Sequence, residues 1–356
     1  MQKWGDSYWE TYSPVVNMLS VRLILAIKKI HKLESKAIDF VLAFPKADLK
    51  EDISMNLPIG FQVDGQTKSD SDRHYVLKLN KNLYGLKQGS FNWYNKLKTS
   101  LVNRNFKPSD TDPCLYIDQG MIVLTYVDDC IIVGPFMQKI YALVKSKEVG
   151  PENFTLNDEG DIDKLLGIEI NHLGEKRFKI SQPFMIDIII SFLNIYTNEF
   201  GLRTNSKSTP VGKPLLHKDL SGKPRKENCN YQTSVGMLTY LQGNSRPKMS
   251  MAVHQTERFR NNPMLSYKRH LKHLGRYILH TKRDGIIYNL NTENGLKCYV
   301  DADLVGGWQQ AESSEAENVM SRTSMVIMYE KCSIYWRSSL QKEIDLSTSK
   351  AEYIVL

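Results

Sequence analysis

The chain has 356 residues, of which 41% are hydrophobic, so it is long enough to bury about two or three cores. Its 47 Lys and Arg outnumber its 39 Asp and Glu and give a formal net charge of +8. This moderate basic excess favours a polyanionic partner, although many soluble proteins share it. The five cysteines show no Cys-x-x-Cys pair and no His/Cys finger spacing, which indicates free thiols in a reducing compartment rather than a disulfide framework.

A membrane location is not supported by the sequence. Charged residues interrupt the first ten positions, so no signal peptide is expected. The longest apolar runs, 21–27 and 185–193, are too short to span a bilayer, and each contains a charge, Arg22 and Asp187 respectively. We therefore expect an intracellular, cytoplasmic protein without a membrane partner.

Hydrophobic periodicity predicts helices and strands along the whole chain. The first part is predicted to contain an amphipathic helix at 14–33, a strand that carries Asp39, a loop at 62–73, a strand at 75–79, a helix at 89–104 and two strands that lead into a β-hairpin at 124–133. A helix at 138–148, a strand at 165–170, a helix at 183–195 and a polar connector at 201–230 follow. The last part is predicted to contain helices at 231–242, 248–259 and 264–280, strands at 296–302, 323–329 and 333–338, and a helix that begins near Ser347. This mixture indicates an α+β fold.

The most informative segment is the pair Asp128-Asp129 between two short apolar runs, 124–127 and 130–133. Their period of two predicts a β-hairpin with its turn at Asp128 and Asp129. Aspartate is common in turns, so a solvated turn is the simplest interpretation of the pair alone. However, two adjacent carboxylates at a rigid strand end repel each other unless a cation lies between them. That arrangement suits Mg²⁺, which takes oxygen ligands and keeps substrate phosphates in its shell.

Further motifs accompany this hairpin in a consistent order. Those before it are Thr11–Val16 (TYSPVV), Ala37–Leu49 (AIDFVLAFPKADL), Leu57–Phe61 (LPIGF), Leu83–Gly89 (LYGLKQG), Trp93-Tyr94 and Asp112–Cys114 (DPC). Those after it are Leu166–Ile170 (LGIEI), Ser245–Pro247 (SRP), Asp301–Asp303 (DAD), Leu346–Thr348 (LST) and Ala351–Tyr353 (AEY). Together with Tyr126-Val127-Asp128-Asp129, they resemble the reverse transcriptase of copia-type retrotransposon polyproteins and the start of the ribonuclease H domain that follows it. The resemblance covers essentially the whole chain.

The resemblance implies a right-hand polymerase fold and its activity. A reverse transcriptase palm with incomplete fingers would span 1–200, a helical thumb or connection region 201–290, and a partial ribonuclease H-like α/β module 291–356. The implied partners are an RNA template, a DNA primer, their RNA–DNA hybrid and deoxynucleoside triphosphates. The implied cofactor is Mg²⁺, with Mn²⁺ as a substitute, because nucleotidyl transfer uses two ions about 3.5–4 Å apart to activate the primer 3′-hydroxyl and to neutralise the leaving pyrophosphate.

The resemblance also implies the residues of the polymerase site. Asp39, Asp128 and Asp129 match the catalytic aspartates that bind the metal ions. Phe44 stands five residues after Asp39, where reverse transcriptases keep an aromatic that blocks the ribose 2′-hydroxyl. By its residue type alone, an isolated phenylalanine at this position is more often a core residue.

Three further residues match segments that contact substrate in the family. Gln88 and Gly89 match the segment that contacts the incoming nucleotide and the template, although a helix start after a turn explains them equally well. Gly167 matches a hairpin that holds the primer end, and a β-turn glycine is the alternative.

The segment 266–280 is the strongest electrostatic feature. Cations recur every four residues, and apolar residues form the opposite stripe. The cations are Lys268, Lys272 and Arg276, and the apolar residues are Leu271, Leu274 and Ile278. We expect the apolar stripe to be buried and the charged stripe to contact a phosphate backbone. A solvated surface face is the alternative.

In the C-terminal part, the resemblance implies that Asp301 and Glu352 are the first two metal-binding acids of the ribonuclease. Burial of Asp301 among the apolar residues of a strand would cost on the order of several kcal/mol without a cation or hydrogen bonds, which favours a ligand role. Asp303 is expected to be a turn residue.

The sequence departs from the family at both ends and at Lys248, where the family usually has an acid. The preceding fingers segment and the third acid of the ribonuclease are absent, so we expect no ribonuclease H activity from residues 1–356. Two functions stay open. The first is a fragment of an RNA-directed DNA polymerase, which would act in the cytoplasm, in a retroelement particle or in the nucleus. The second is an inactive remnant that at most binds nucleic acid. An unrelated two-metal nuclease would need neither Gln88-Gly89 nor the primer-holding hairpin.

Overall fold

The structure is a computed structural model that describes residues 2–61, 75–135, 138, 154–195, 206–212, 216–219, 222, 231–290, 294–306, 308 and 316–355. The predicted loop at 62–73, all but one residue of the predicted helix at 138–148 and most of the connector at 201–230 lie outside these residues. The chain forms two compact units. One comprises Met1–Ile24 and Lys32–Ile162, and the other comprises Leu25–His31 and Asp163–Leu356.

The first unit is built on a six-stranded antiparallel sheet. Its strands are β1 (Glu34–Phe40), β4 (Lys107–Pro108), β5 (Leu115–Asp118), β6 (Met121–Tyr126), β7 (Asp129–Gly134) and β8 (Leu156–Gly160). They lie in the order β4-β5-β6-β7-β1-β8, so β1 is an interior strand with β7 on one side and β8 on the other. A separate ribbon pairs β2 (Ser54–Asn56) with β3 (Val76–Lys78).

A hydrophobic core covers one face of this sheet. The helices in this part of the chain are Met18–Ile30, Ala43–Lys46 and Gly89–Val102. Ile38 and Phe40 of β1 are buried in the same cluster as Trp93, and the rings of Phe40 and Trp93 meet edge to face at 5.3 Å. Successive side chains of a strand point to opposite faces, so Asp39 lies on the face away from this cluster.

The second unit contains a four-stranded antiparallel sheet and a group of helices. The strands β9 (Lys164–Leu165), β10 (Ile168–Gly174), β11 (Arg177–Ser181) and β12 (Ile286–Asn289) lie in the order β12-β11-β10-β9. The helices are Pro183–Phe192, Tyr231–Ser245, the short 3₁₀ turn Pro247–Met249, Ser250–Glu257 and Tyr267–His280. They share one buried apolar cluster. Among the residues that the structure describes, no helix is long and apolar enough to cross a membrane.

A three-stranded antiparallel sheet completes the second unit. It consists of β13 (Leu296–Asp303), β14 (Arg322–Tyr329) and β15 (Cys332–Leu340), in that order. The helices Ala316–Val319 and Thr348–Val355 belong to the same part of the chain. Nε1 of Trp336 donates a hydrogen bond to the carbonyl of Gln242 (3.1 Å), which ties β15 to the helix Tyr231–Ser245.

The mixed α and β content is as predicted, but two details of the prediction are wrong. The turn of the β6–β7 hairpin consists of Val127 and Asp128, because Asp129 pairs with Tyr126 and already belongs to β7. The single strand predicted at 165–170 is a hairpin, with the turn Leu166-Gly167 between β9 and β10. Strands β11 and β12 were not predicted, since strands of four or five residues carry weak periodicity.

Candidate active site

The β6–β7 hairpin has the shortest common type of loop. Tyr126 pairs with Asp129, which leaves only Val127 and Asp128 between the strands. Val127 has a φ of 55°, a left-handed conformation that is a steric outlier for a β-branched residue. Strained backbone of this kind persists only where the surroundings enforce it, and it is concentrated at functional sites.

Two hydrogen bonds enforce the loop conformation. Nε1 of the buried Trp93 donates to the carbonyl oxygen of Val127 (2.6 Å), and the backbone N–H of Phe40 donates to the carbonyl oxygen of Asp128 (2.9 Å). The first bond ties the loop to the helix Gly89–Val102, and the second ties it to the end of β1. Asp128 is therefore held next to β1 by main-chain geometry.

A row of polar side chains crosses the sheet beside this loop. Asp39 on β1 lies directly opposite Asp129 on β7 and directly opposite Asn157 on β8. Residues opposite each other in an antiparallel pair point to the same face, with Cβ atoms about 4.5–5.5 Å apart. Nδ2 of Asn157 donates a hydrogen bond to Oδ2 of Asp39 (3.3 Å). We call Asp129, Asp39 and Asn157 the acidic row. The structure thus brings the two predicted aspartates together with Asp128 in the adjoining turn.

The carboxylates of this site repel one another. The pKa of Asp129 is raised to about 6, first because the side chain is partly buried and then because the carboxylates of Asp128, Glu159 and Asp39 lie nearby. A proton or a cation relieves this repulsion, so the site favours a positive ligand.

Glu159 and Asn157 are the members of the site that sequence reasoning missed. In the β1–β8 pairing, Ile38 lies opposite Asp158 and Ala37 opposite Gly160, so Glu159 is the extra residue of a β-bulge. Bulges redirect a side chain and are common next to active sites. No local pattern could reveal these residues, because the sequence does not show which strand lies on the second side of β1.

The donor atoms fit a hard divalent cation, although the side chains are not gathered around one point. Among the described residues, no three Asp, Glu, His or Cys side chains are close enough together to hold a metal ion. Carboxylate oxygens are nevertheless the preferred ligands of Mg²⁺. Asp39 and Asp129 are cross-strand neighbours, so side-chain rotation alone is enough for them to share an ion.

Phe44 lies on the short helix Ala43–Lys46, just after β1. Its ring packs on that of Tyr84, with centroids 4.7 Å apart and planes tilted by 30°. A Cβ atom on Gly89 would lie 3.5 Å from Cδ2 of Phe44 and 3.3 Å from the Leu83 carbonyl oxygen. A side chain larger than a hydrogen would therefore crowd this contact, which accounts for the glycine.

Tyr84 connects this aromatic pair to the acidic row. Its pKa is raised, first by partial desolvation of the hydroxyl and in addition by the negative charges of Asp128 and Asp39, although the side chain as a whole is exposed. The Phe44–Tyr84 pair therefore lies within electrostatic reach of the aspartates. Sequence reasoning did not single out Tyr84, because an exposed tyrosine in a turn carries no signal of its own.

The side-chain amide of Gln88 forms its hydrogen bonds within the chain. It is 2% exposed, and its Oε1 accepts a hydrogen bond from Nε2 of Gln2 (2.8 Å). Its Nε2 donates to the Ser7 carbonyl (3.1 Å) and to Oε2 of Glu51 (3.3 Å). The side chain thus anchors the N-terminal segment, and a contact between Gln88 and a nucleotide stays a prediction.

Gly167 is an exposed turn residue in the second unit. Both Leu166 and Gly167 have positive φ (51° and 68°), as a two-residue hairpin turn requires. The hydroxyl of Tyr240 donates to the Leu166 carbonyl (2.5 Å) and fixes this turn to the helix Tyr231–Ser245. The β-turn interpretation of Gly167 agrees with this geometry, and the primer contact stays a prediction.

The helix Tyr267–His280 is amphipathic, as predicted. The predicted apolar stripe, Leu271, Leu274 and Ile278, is buried. The predicted cations, Lys268, Lys272 and Arg276, are half-buried. A phosphate contact of these cations stays a prediction.

In the last sheet, Asp301 and Glu352 come close in space. The backbone N–H of Ala302 donates to Oε1 of Glu352 (3.3 Å), so this carboxylate lies beside the residue that follows Asp301. The expectation that Asp301 is buried is wrong: the residue is exposed, because β13 is an outer strand of its sheet. Asp303 ends β13 and packs against Gly306 of the following turn, as expected for a turn residue.

Comparison with known proteins identifies the family. The model of the reverse transcriptase (RNA-dependent DNA polymerase) family matches residues 1–211. The retrovirus-related Pol polyprotein from transposon TNT 1-94 of Nicotiana tabacum is 33% identical over 99% of the chain and 26% of that protein. The corresponding polyprotein from transposon RE1 of Arabidopsis thaliana is 28% identical over 99% of the chain and 23% of that protein.

A shorter relative is matched over almost its whole length. The putative transposon Ty5-1 protein YCL074W of Saccharomyces cerevisiae is 25% identical over 89% of the chain and 97% of that protein. The chain spans about a quarter of the two plant polyproteins. The chain belongs to the reverse transcriptase (RNA-dependent DNA polymerase) family and corresponds to the reverse transcriptase region of copia-type retrotransposon Pol polyproteins.

Proposed function

We propose that this chain is a fragment of an RNA-directed DNA polymerase, in which Asp39, Asp128 and Asp129 are the ligands of two Mg²⁺ ions, for which Mn²⁺ can substitute. The observation that carries the proposal is the pairing of Asp39 with Asp129 across β1 and β7, with Asp128 in the adjoining turn. When bound, the ions would activate the primer 3′-hydroxyl and neutralise charge on the leaving pyrophosphate.

The surrounding residues hold these carboxylates in place. The hydrogen bonds from Trp93 to Val127 and from Phe40 to Asp128 fix the backbone on which Asp128 stands. The backbone that carries these ligands is therefore preorganised, and rotation of the side chains completes the site. Because the pKa of Asp129 is about 6, its carboxylate is ionised at neutral pH and available as an oxygen donor.

We propose that the deoxynucleoside triphosphate binds next to Phe44. The ring packs on that of Tyr84, with centroids 4.7 Å apart, and this contact would hold it in place against a ribose 2′-hydroxyl. Gln88 would support this site indirectly, because its hydrogen bonds fix the N-terminal segment to the start of the helix Gly89–Val102.

Nucleic acid would be held by elements of the second unit. We propose that the Leu166-Gly167 turn contacts the primer, and the Tyr240 hydrogen bond supports this role because it makes the turn rigid. The cations of the helix Tyr267–His280 would contact phosphates of the RNA–DNA duplex, which is consistent with the net charge of +8.

We further propose the domain assignment implied by the sequence: a palm region at 1–200, a thumb or connection region at 201–290, and a ribonuclease H-like module at 291–356. The three antiparallel strands followed by a helix support the last of these. Asp301 and Glu352 would be its metal-binding acids, and the proximity of Glu352 to Ala302 supports this pairing. The protein would act inside the cell.

One observation favours the alternative, an inactive remnant. Asp345 is 5% exposed, and within the described part of the chain neither of its carboxylate oxygens has a hydrogen-bond partner. Burial of an unpaired carboxylate is costly. Native proteins contain few such groups, and a sequence that is no longer under selection for stability accumulates them.

Primer extension separates the two functions. With a fingers segment of the family joined before residue 1, the chain, given Mg²⁺, a DNA primer on an RNA template and deoxynucleoside triphosphates, should lengthen the primer. Asp128→Asn should reduce the rate by orders of magnitude because it weakens a metal ligand. A chain that binds the primer–template but does not extend it under any divalent cation would support the remnant.

A further inference from the structure

The edge strand β8 takes part in the candidate active site, although none of the predicted catalytic residues lies on it. Asp39 has two cross-strand neighbours, Asp129 on one side and Asn157 on the other. Main-chain hydrogen bonds fix both sides: Phe40 N–H donates to Asp128 O (2.9 Å), and Val41 N–H donates to Thr155 O (3.0 Å).

The side chain of Asn157 acts directly on Asp39. Its Nδ2 donates to Oδ2 of Asp39 at 3.3 Å. Asp39 lies directly opposite Asp129, whose carboxylate interacts with those of Asp39, Asp128 and Glu159. The amide donor of Asn157 lies on the side of Asp39 opposite to Asp129, so it restrains one carboxylate oxygen of Asp39 and leaves the other oxygen free of this bond.

We infer that Asn157 is a positioning residue for Asp39, which orients this carboxylate for a divalent cation at the acidic row. This inference rests on the proposed function, because it takes the row to be the cation site. Groups that hydrogen-bond a metal ligand typically change metal affinity or activity by about 10–100-fold when they are removed. Asn157 contacts no reacting atom in this scheme and acts only through Asp39.

The test measures cation binding without catalysis. Free Mn²⁺ is followed by electron paramagnetic resonance while the whole chain is titrated in the absence of nucleic acid and nucleotide. Asn157→Ala should weaken Mn²⁺ binding by about 10-fold or more. Asn157→Gln keeps an amide donor and should restore most of the affinity. Thr155→Ala changes another exposed residue of the same strand region and should leave the affinity unchanged.

The outcomes distinguish the inference from the proposed function. Asp128→Asn should weaken Mn²⁺ binding, which locates the ion at the row. If Asp128→Asn weakens binding and Asn157→Ala does not, the positioning role is overturned while the proposed function stands. If the wild-type chain shows no binding that depends on Asp128, the proposed function fails and the inference fails with it. Thermal unfolding of each variant shows whether a loss of binding reflects a loss of folding.

Discussion

Nε1 of Trp93 donates a hydrogen bond to the carbonyl oxygen of Val127 at 2.6 Å, and this bond joins the hydrophobic core to the loop that carries Asp128. Trp93 is buried against Phe40 and Phe154. Val127, in turn, adopts a left-handed conformation that a β-branched residue avoids elsewhere. The core therefore sets the loop geometry directly, because the indole of Trp93 and the backbone N–H of Phe40 together hold the strained loop.

Trp93→Phe should lower the free energy of unfolding by about 1–3 kcal/mol, because it leaves the Val127 carbonyl without its donor. It should also slow primer extension, since the loop can then relax. Urea unfolding and extension rates measure the two effects. Tyr94→Phe is the matched control: it also removes a hydrogen bond, to the Pro113 carbonyl (3.2 Å), but one that does not reach the loop. Equal rates for Trp93→Phe and Tyr94→Phe would mean that the indole bond does not position Asp128.

Stability of the metal-free chain should depend on pH through Asp129. Its pKa rises from 3.8 to about 6 on folding, so the folded chain binds more protons between these pH values than the unfolded chain. Asp129 therefore contributes stability that is fully present below pH 3.8 and lost as the pH rises through about 6.

The measurement compares melting temperatures of wild type and Asp129→Asn from pH 4 to pH 7 with a chelator present. The wild type should lose stability relative to the variant as the pH rises. Asp118→Asn, at the far end of the same sheet, should follow the wild-type profile. If the melting temperatures of wild type and Asp129→Asn change with pH in the same way, then burial and the neighbouring carboxylates do not raise the pKa of Asp129.

Phe44→Ala should relax discrimination against ribonucleotides. Removal of the ring opens space beside the proposed sugar position, so the ratio of deoxyribonucleotide to ribonucleotide incorporation should fall by about 10-fold or more. Single-nucleotide incorporation with each substrate measures the ratio. Phe44→Tyr keeps the ring against Tyr84 and should preserve it. An unchanged ratio in Phe44→Ala would make Phe44 a packing residue only.

Asp345→Ala should stabilise the second unit. The substitution removes a buried carboxylate that has no hydrogen-bond partner among the described residues, a gain of about 1–3 kcal/mol in the free energy of unfolding. Glu343→Ala, an exposed acid two positions earlier, should change stability by no more than about 0.5 kcal/mol. Destabilisation by Asp345→Ala would indicate that the carboxylate has a partner in the folded protein after all.

The parts of the site that are local in sequence could be predicted. Asp39 falls between the buried residues Ile38 and Phe40, so alternation alone places it on the open face of a strand. Asp128 and Asp129 lie between two apolar runs, and this pattern predicts the hairpin. The exact turn could not be predicted, because the choice between Val127-Asp128 and Asp128-Asp129 depends on register, which the pairing of Asp129 with Asp39 decides.

The parts that depend on distant contacts could not be predicted. Asn157 meets Asp39 across a separation of 118 residues, and nothing around Asn157 distinguishes it from a solvated asparagine. Gln88 is buried by Gln2 and Ser7, more than 80 residues away, so its motif alone indicated an open contact residue. The sequence predicts that Asp301 is buried, whereas it is exposed on the outer strand β13. The position of a strand within its sheet is set by contacts with other strands and cannot be read from the strand's own residues.

In the proposed reaction, Asp39 and the hairpin aspartates act together on divalent cations in DNA synthesis. The most direct test is the rate of single-nucleotide incorporation on an RNA template with saturating Mg²⁺, for wild type, Asp39→Asn, Asp128→Asn and the double variant, with Asp118→Asn as control. We expect the rate of each single variant to fall by orders of magnitude and the rate of the double variant to fall little further, whereas Asp118→Asn should keep the wild-type rate. An Asp39→Asn protein that incorporates nucleotides as fast as Asp118→Asn would contradict this expectation.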